Sequence, residues 1–342
     1  MRSRAVHPAG GVVFAAVSAL FLAGCGGGGE PVAVPPPAAS APSARPASDP
    51  AAARANELGA VPVLMYHRIT TQPTSVYDRT PEDFRAELER LVREDYVPIR
   101  TRDYAEGRID IPAGKHPVVL TFDDSTKSQL ELGPDGRPKP DTAVAILQEV
   151  SRANPGFPAV ASFYVNGEPF EDPGGRQTLR WLHENGFEIG NHTLTHANLG
   201  GLGPEAVQRE IAGNQQAIQK AVPGLEVSTM ALPFGVAPGR AELAREGMAD
   251  GARYRHKGVL LVGSNPAPSP FAKEFDPLKI PRIRSQGTSG EDFRFGSTTW
   301  LDKLASGEVP RYTSDGDPHR ISFPTTERSA LAADHQQRAR PY

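Results

Sequence analysis

Cysteine is almost absent: Cys25 is the only one in 342 residues, so no disulfide can form within the chain. Lys/Arg-rich runs are missing too, and the net charge of −3 is mild. This removes the electrostatic footprint of a nucleic-acid binder. The longest apolar run, Gly11 to Leu22, is too short to span a bilayer comfortably. No internal repeat is present. What remains is 38% hydrophobic and 23% charged, the balance of a soluble globular protein with low-complexity ends. The length suits one large domain plus tails.

The first 25 residues read as an address rather than as part of the fold. Arg2 and Arg4 make a positive start, and the apolar run ends in Leu22-Ala23-Gly24-Cys25. This resembles the lipobox of bacterial lipoproteins, and predicts a lipid on Cys25 and attachment to a membrane. An ordinary secretory signal with an incidental cysteine is the plainer alternative. Gly26 lacks the acidic character of an inner-membrane retention signal, which favours the outer membrane in a Gram-negative cell and the cell membrane otherwise. Residues 26–58, rich in Gly, Pro and Ala, hold too few bulky apolar residues for a core and are expected to be a disordered linker. Residues 59–324 form the expected catalytic domain, and residues 325–342 a polar, disordered tail.

Between these ends, short apolar runs alternate with amphipathic stretches. Strands are expected at 61–66, 118–122, 159–165, 187–190 and 227–232. Helices are expected from Thr80 and Pro81, from Asp141 as a cap to Ala153, over 178–185 with Gly186 as the stop, over 204–222 and over 240–246. Strand–helix alternation implies a parallel sheet with crossover connections, and six to eight such units suggest an α/β barrel or a distorted one.

Two clusters carry chemistry. Thr121-Phe122-Asp123-Asp124 ends a fully apolar strand, and so lies at the mouth of the sheet where parallel α/β folds place their sites. Adjacent aspartates there can divide metal binding and proton transfer, although Asp-Asp also suits a solvated turn. His192-Thr193-Leu194-Thr195-His196 follows another strand. Histidines four apart meet on one face of a helical turn and can share one metal; alone, the pair also suits capping in a polar loop. One Asp and two His would leave a metal position open for an activated water.

In order, Thr-Phe-Asp-Asp, His-Thr-x-x-His and Pro233-Phe234-Gly235 resemble the polysaccharide deacetylases of carbohydrate esterase family 4, the NodB-homology domain, over about residues 61–283. The resemblance implies a distorted (β/α) barrel in a single catalytic domain and a divalent metal, Zn²⁺ first among the candidates. It implies Asp123 as catalytic base, Asp124, His192 and His196 as ligands, and Pro233, Phe234 and Gly235 at the substrate.

Ala231 stands where the family's third motif has arginine. Arg282 or Arg284, in Ile280-Pro281-Arg282-Ile283-Arg284, is a candidate replacement. No Asp-x-x-Asp-Trp motif and no C-terminal Leu-x-His-Asp motif is found. Val63-Leu64-Met65-Tyr66-His67 has the character of that last motif moved to the N-terminus, and resembles the permuted branch that includes the poly-N-acetylglucosamine deacetylases. His67 is then the candidate general acid; a core histidine bonded to backbone is the alternative. His116, His183, His256 and His319 read as surface or loop histidines. Trp181 and Trp300 read as helix-packing residues that can also line a sugar groove.

The resemblance implies removal of N-acetyl groups from an envelope or extracellular polysaccharide, such as poly-N-acetylglucosamine, peptidoglycan or a chitin-like polymer. The alternatives are an O-acetyl esterase on acetylated polysaccharide and a carbohydrate-binding protein of the same fold without turnover. The partners implied are the polysaccharide and, through the lipid, a membrane. Nothing in the sequence indicates an oligomeric state.

Overall fold

The computed structural model describes residues 49–342. The lipid site at Cys25, the signal peptide and most of the expected linker lie outside the described residues. Among the described residues, no helix is long and apolar enough to cross a membrane.

The elements, in chain order, are β1 (Val63–Tyr66), α1 (Pro81–Arg93), β2 (Tyr96–Ile99), α2 (Thr101–Ala105), β3 (His116–Phe122), α3 (Ala143–Ala153), β4 (Ser162–Val165), α4 (Thr178–Glu184), β5 (Glu188–Asn191), α5 (Pro204–Ala221), β6 (Thr229–Ala231) and α6 (Glu242–Arg245). They continue with β7 (Glu246–Ala249), β8 (Ala252–Arg255), β9 (Gly258–Leu260), β10 (Ile283–Arg284), α7 (Ser297–Ser306), β11 (Ile321–Phe323) and β12 (Ala339–Pro341).

The main sheet is parallel throughout, ordered β10-β1-β3-β4-β5-β6-β9, with β2 against the first half of β3. A parallel bridge from Leu260 to Ile280 joins β9 to the segment that runs into β10. The sheet therefore curls into the expected distorted α/β barrel. Side chains alternate across it, as the strand period requires. Val63, Val119, Ala231 and Leu260 belong to one buried cluster. Leu64, Tyr66, Leu120, Phe122, Phe163 and Ile189 pack with the helix residues Phe84, Leu88, Ile146 and Leu179 in another. β7 and β8 form an antiparallel hairpin beside α5.

Helix ends follow local chemistry. The Thr80 hydroxyl accepts from the Asp83 N–H, and Pro81 occupies the first turn. At α3 the cap is Thr142, whose side chain accepts from Ala145 N–H. The expected cap, Asp141, precedes it in a left-handed conformation (φ 64°). Gly186, at φ 81°, stops the chain after α4 as expected. The helix expected over 240–246 shrinks to α6, because Glu246 already pairs with Arg255 in the hairpin.

Both expected ends need correction. Ala55, Glu57 and Leu58, assigned to the linker, are buried, and the Asn56 and Glu57 N–H groups donate to the Thr313 and Ser322 carbonyls. Residues 325–342, expected to be a disordered tail, pack on the domain. β12 runs parallel to β11, Leu331 is buried, and the Tyr342 hydroxyl donates to the Ala55 carbonyl at 2.9 Å. Polar composition misleads here because backbone pairing satisfies the buried polar groups. His116 and His256 are likewise buried rather than superficial; each sets Nδ1 2.7 Å from a carbonyl, of Tyr312 and Ala244 respectively.

Candidate active site

The C-terminal ends of the parallel strands gather at one mouth of the barrel. Asp123 follows β3 and is buried, and its N–H donates to the Tyr66 carbonyl at the end of β1. Its two carboxylate oxygens accept from Nη1 and Nη2 of Arg282, at 2.7 Å each. Arg282 is fully buried. It also donates from Nε to the Leu261 carbonyl and from Nη1 to Thr121 Oγ1. Burial opposes ionisation of Asp123, but Arg282 and His192 outweigh it and hold the carboxyl well below the usual range. Asp123 is thus held ionised at ordinary pH, in a fixed plane. Of the two arginines proposed to replace the one missing at Ala231, Arg282 reaches Asp123.

Asp124, at φ 72°, turns the chain so that its carboxylate leaves the strand direction. Its Oδ1 lies 3.4 Å from Nε2 of both His192 and His196. The three ligand atoms all lie within 4.8 Å of one another. This Oδ1 is buried and has no hydrogen-bond partner, so a positive group is wanted there. Two donors on one tetrahedral ion at about 2.1 Å would stand about 3.4 Å apart. The donor set and its spacing therefore fit a divalent metal.

His192 is oriented by its other nitrogen. Nδ1 sits 2.8 Å from the Ala231 carbonyl, which can only accept, so a proton is on Nδ1, and Nε2, turned to Asp124, is the nitrogen left to bind a metal. Burial lowers the His192 pKa, but Asp123 and Asp124 outweigh it and leave it raised. His196 is half-buried, and burial together with His192 lowers its pKa. The two rings do not meet on a helical turn as the spacing predicts. Thr193 and His196 have φ of 64° and 58°, and the loop they bend is clamped to α5. Thr195 donates twice to the Glu210 carboxylate, while Asn214 donates to Asn191 and to the Val165 carbonyl.

His67 follows β1, which pairs with β3 in the register Tyr66 to Phe122. It therefore stands beside Asp123 at the mouth. Gln129 Nε2 bridges the His67 and Asp123 carbonyls, at 2.9 and 2.5 Å. His67 Nδ1 is buried without a partner, and its ring lies 4.9 Å from that of Tyr77. Burial lowers its pKa, against the pull of Asp123 and Asp124.

Pro233-Phe234-Gly235 forms a tight turn after β6. Phe234 is held at φ 57°; the residue is 61% exposed, with its ring edge-on to His196 at 4.7 Å. Gly235 is required, since a Cβ there would meet the Val262 nitrogen at 2.7 Å. Left-handed non-glycine residues thus cluster at Asp124, Thr193, His196 and Phe234, a concentration of strain typical of functional sites. Gln129, Glu210 and Asn214 escape sequence reasoning, because isolated amides and a helix carboxylate carry no motif.

Residues 110–248 match the family model for polysaccharide deacetylases. The chain carries a polysaccharide deacetylase domain. Within it lie Asp123, Asp124, His192, His196 and the Pro233–Gly235 turn. A chitooligosaccharide deacetylase of Rhizobium leguminosarum bv. phaseoli is 30% identical over 130 residues, 38% of this chain and 49% of the relative. One of Sinorhizobium fredii is 28% identical over 123 residues, 36% of this chain and 49% of the relative. The matched region thus spans about half the length of these relatives. A Bacillus anthracis protein described as a polysaccharide deacetylase superposes with a TM-score of 0.52 at 19% identity, covering 71% of this chain and 69% of that one. A polysaccharide deacetylase of Bacillus cereus gives 0.50 at 19% identity, covering 66% and 64%. At such identity the two structures show the fold of the deacetylase domain; His67 and Arg282 lie outside the residues matched by the family model.

Proposed function

We propose that this chain is a metal-dependent hydrolase that removes N-acetyl groups from an envelope or extracellular polysaccharide. One observation carries the reading: an ionised, arginine-held Asp123 stands next to the Asp124–His192–His196 donor set. A divalent metal held by those three residues, Zn²⁺ by donor type, would supply positive charge to an acetyl carbonyl oxygen and acidify water.

The chain's own residues account for the proton transfers. Asp123 accepts the proton of the attacking water, and Arg282 keeps its plane fixed while it does so. His67 donates a proton to the departing amine, so that an amine and acetate leave. Phe234 offers an exposed ring beside His196 for a pyranose face.

Acetate release by metal-loaded enzyme tests this. The reading expects release from poly-N-acetylglucosamine, peptidoglycan glycan or chitin oligomers. Release from acetylxylan alone would make it an O-acetyl esterase, and no release from any of them would leave only a carbohydrate-binding domain. We also propose export and lipid attachment at Cys25, on the strength of the Leu22–Cys25 motif. Mass analysis of mature wild-type protein should show an acylated Cys25, and Cys25→Ser should release the protein from membranes; an unmodified Cys25 would overturn the tether.

A further inference from the structure

Strand alternation gives the two arginines around β10 different tasks. Arg282 points into the barrel onto Asp123, and Ile283 points out into the helix-facing core. Arg284, next in the alternation, turns back to the mouth in register with Met65, two residues before His67. Its guanidinium lies over the ring of Tyr77 at 5.3 Å, and that ring packs on His67. Nε and Nη2 donate to Gln286 Oε1 at 3.1 and 2.6 Å, and Nη2 donates to the Glu291 carbonyl at 2.8 Å. Gln286 is pinned in turn, its amide donating to the Ser289 and Glu291 carbonyls.

All these partners are neutral. Glu291 offers its carbonyl, and among the described residues no carboxylate lies within ion-pair distance of Arg284. Nη1 is neither bonded nor buried. A surface arginine with nothing to bind keeps its rotamer freedom; this one has given it up to three hydrogen bonds and an aromatic face. A guanidinium fixed in this way can offer its Nη1 donors to an oxyanion at little further entropic cost. The opposite flank of the mouth, with exposed Phe234 and Leu194, offers apolar surface instead.

We infer that Arg284 is a specificity-determining residue that selects polysaccharides bearing a carboxylate on a sugar adjacent to the N-acetylated sugar under attack. The inference rests on the N-deacetylase reading for its substrate, but it is measurable as binding. Titration calorimetry on the metal-loaded protein at low salt would compare oligosaccharides of alternating N-acetylglucosamine and glucuronic acid with the same oligomers carboxyl-reduced to glucose. Wild type is expected to bind the acidic form about tenfold tighter, the scale of one charge-assisted hydrogen bond. Arg284→Gln should bring the ratio to within about twofold, and Arg284→Lys should keep part of it. Raising the salt should narrow the wild-type ratio, a readout that survives if a variant fails to fold.

Equal affinities in wild type, or a preference that persists in Arg284→Gln, would overturn the inference. Acetate release from the same oligomers judges the deacetylase reading separately. A charge preference without acetate sinks that reading alone, and acetate without a charge preference sinks the role of Arg284 alone.

Discussion

Arg282 grips both carboxylate oxygens of Asp123, at 2.7 Å each, from a position 159 residues further along the chain. Removing one partner of a buried ion pair leaves an uncompensated charge, at a cost of about 3–5 kcal/mol. Arg282→Met should therefore lower the unfolding free energy by that scale, read as a lower urea midpoint. The Asp123 pKa is depressed in the fold, so its contribution is complete above the ordinary carboxylate value and fades as pH falls below it. In Arg282→Met this acid-side loss should shrink or reverse, and the acid limb of kcat/KM should move up in pH. An unchanged midpoint and acid limb would show that the pair is idle.

Much of the site is legible in the sequence because each cluster is contiguous and follows a buried strand. Asp123-Asp124 and His192-x-x-x-His196 need only their strands to end at the same mouth. The long-range partners are another matter. Choosing Arg282 over Arg284 depends on strand phase in a two-residue β10, too short to show a period. The histidine pair is misread as helical because its spacing is right while its backbone is left-handed at Thr193 and His196. The C-terminal segment is misread because backbone pairing holds it rather than apolar side chains: β12 pairs with β11, and the Ala332 N–H donates to the Phe271 carbonyl.

Metal should track the donor set rather than the base. Asp124→Ala and His192→Ala should each lose more than the roughly tenfold to hundredfold in metal affinity that an outer partner is worth, and lose activity with it. Asp123→Asn should retain metal while turnover drops by about 10²–10⁴-fold. That variant also strips Arg282 of its counter-charge, so occupancy by elemental analysis belongs well below its melting temperature. Wild-type turnover in verified metal-free protein would rule out the donor set.

His67→Ala should cut turnover on an amide substrate by about 10²–10⁴-fold and leave metal content intact. Because burial lowers the His67 pKa, the alkaline limb of kcat/KM should fall below the ordinary histidine value of about 6.5. In the variant this limb should vanish. Near-normal turnover would return His67 to the role of a packed core histidine.

Glu57 predicts a pH effect away from the site. Its carboxylate accepts from Tyr312, Asp315 and Ser322, and burial, with Asp315 close by, pushes its pKa up to about 8. A raised carboxyl pKa favours the fold at low pH and loses that advantage as pH rises. Stability should therefore decline between the ordinary carboxylate value and about pH 8, by a few kcal/mol in order of magnitude. Chemical denaturation across that range should show the slope, and Glu57→Gln should flatten it. A slope that is the same in both proteins would place the titration elsewhere.

The contact between Tyr342 and Ala55 brings residue 342 against the first buried residue among those described. The folded polypeptide is close to a ring with a single gap, so where the gap falls is nearly arbitrary to the barrel. A circular variant that joins 342 to 55 and opens at the exposed turn around Gly136 would keep every strand neighbour while carrying β1, β3, His67 and Asp123 into the last third of the chain. Motif order along such sequences can then differ while the arrangement around the mouth stays the same.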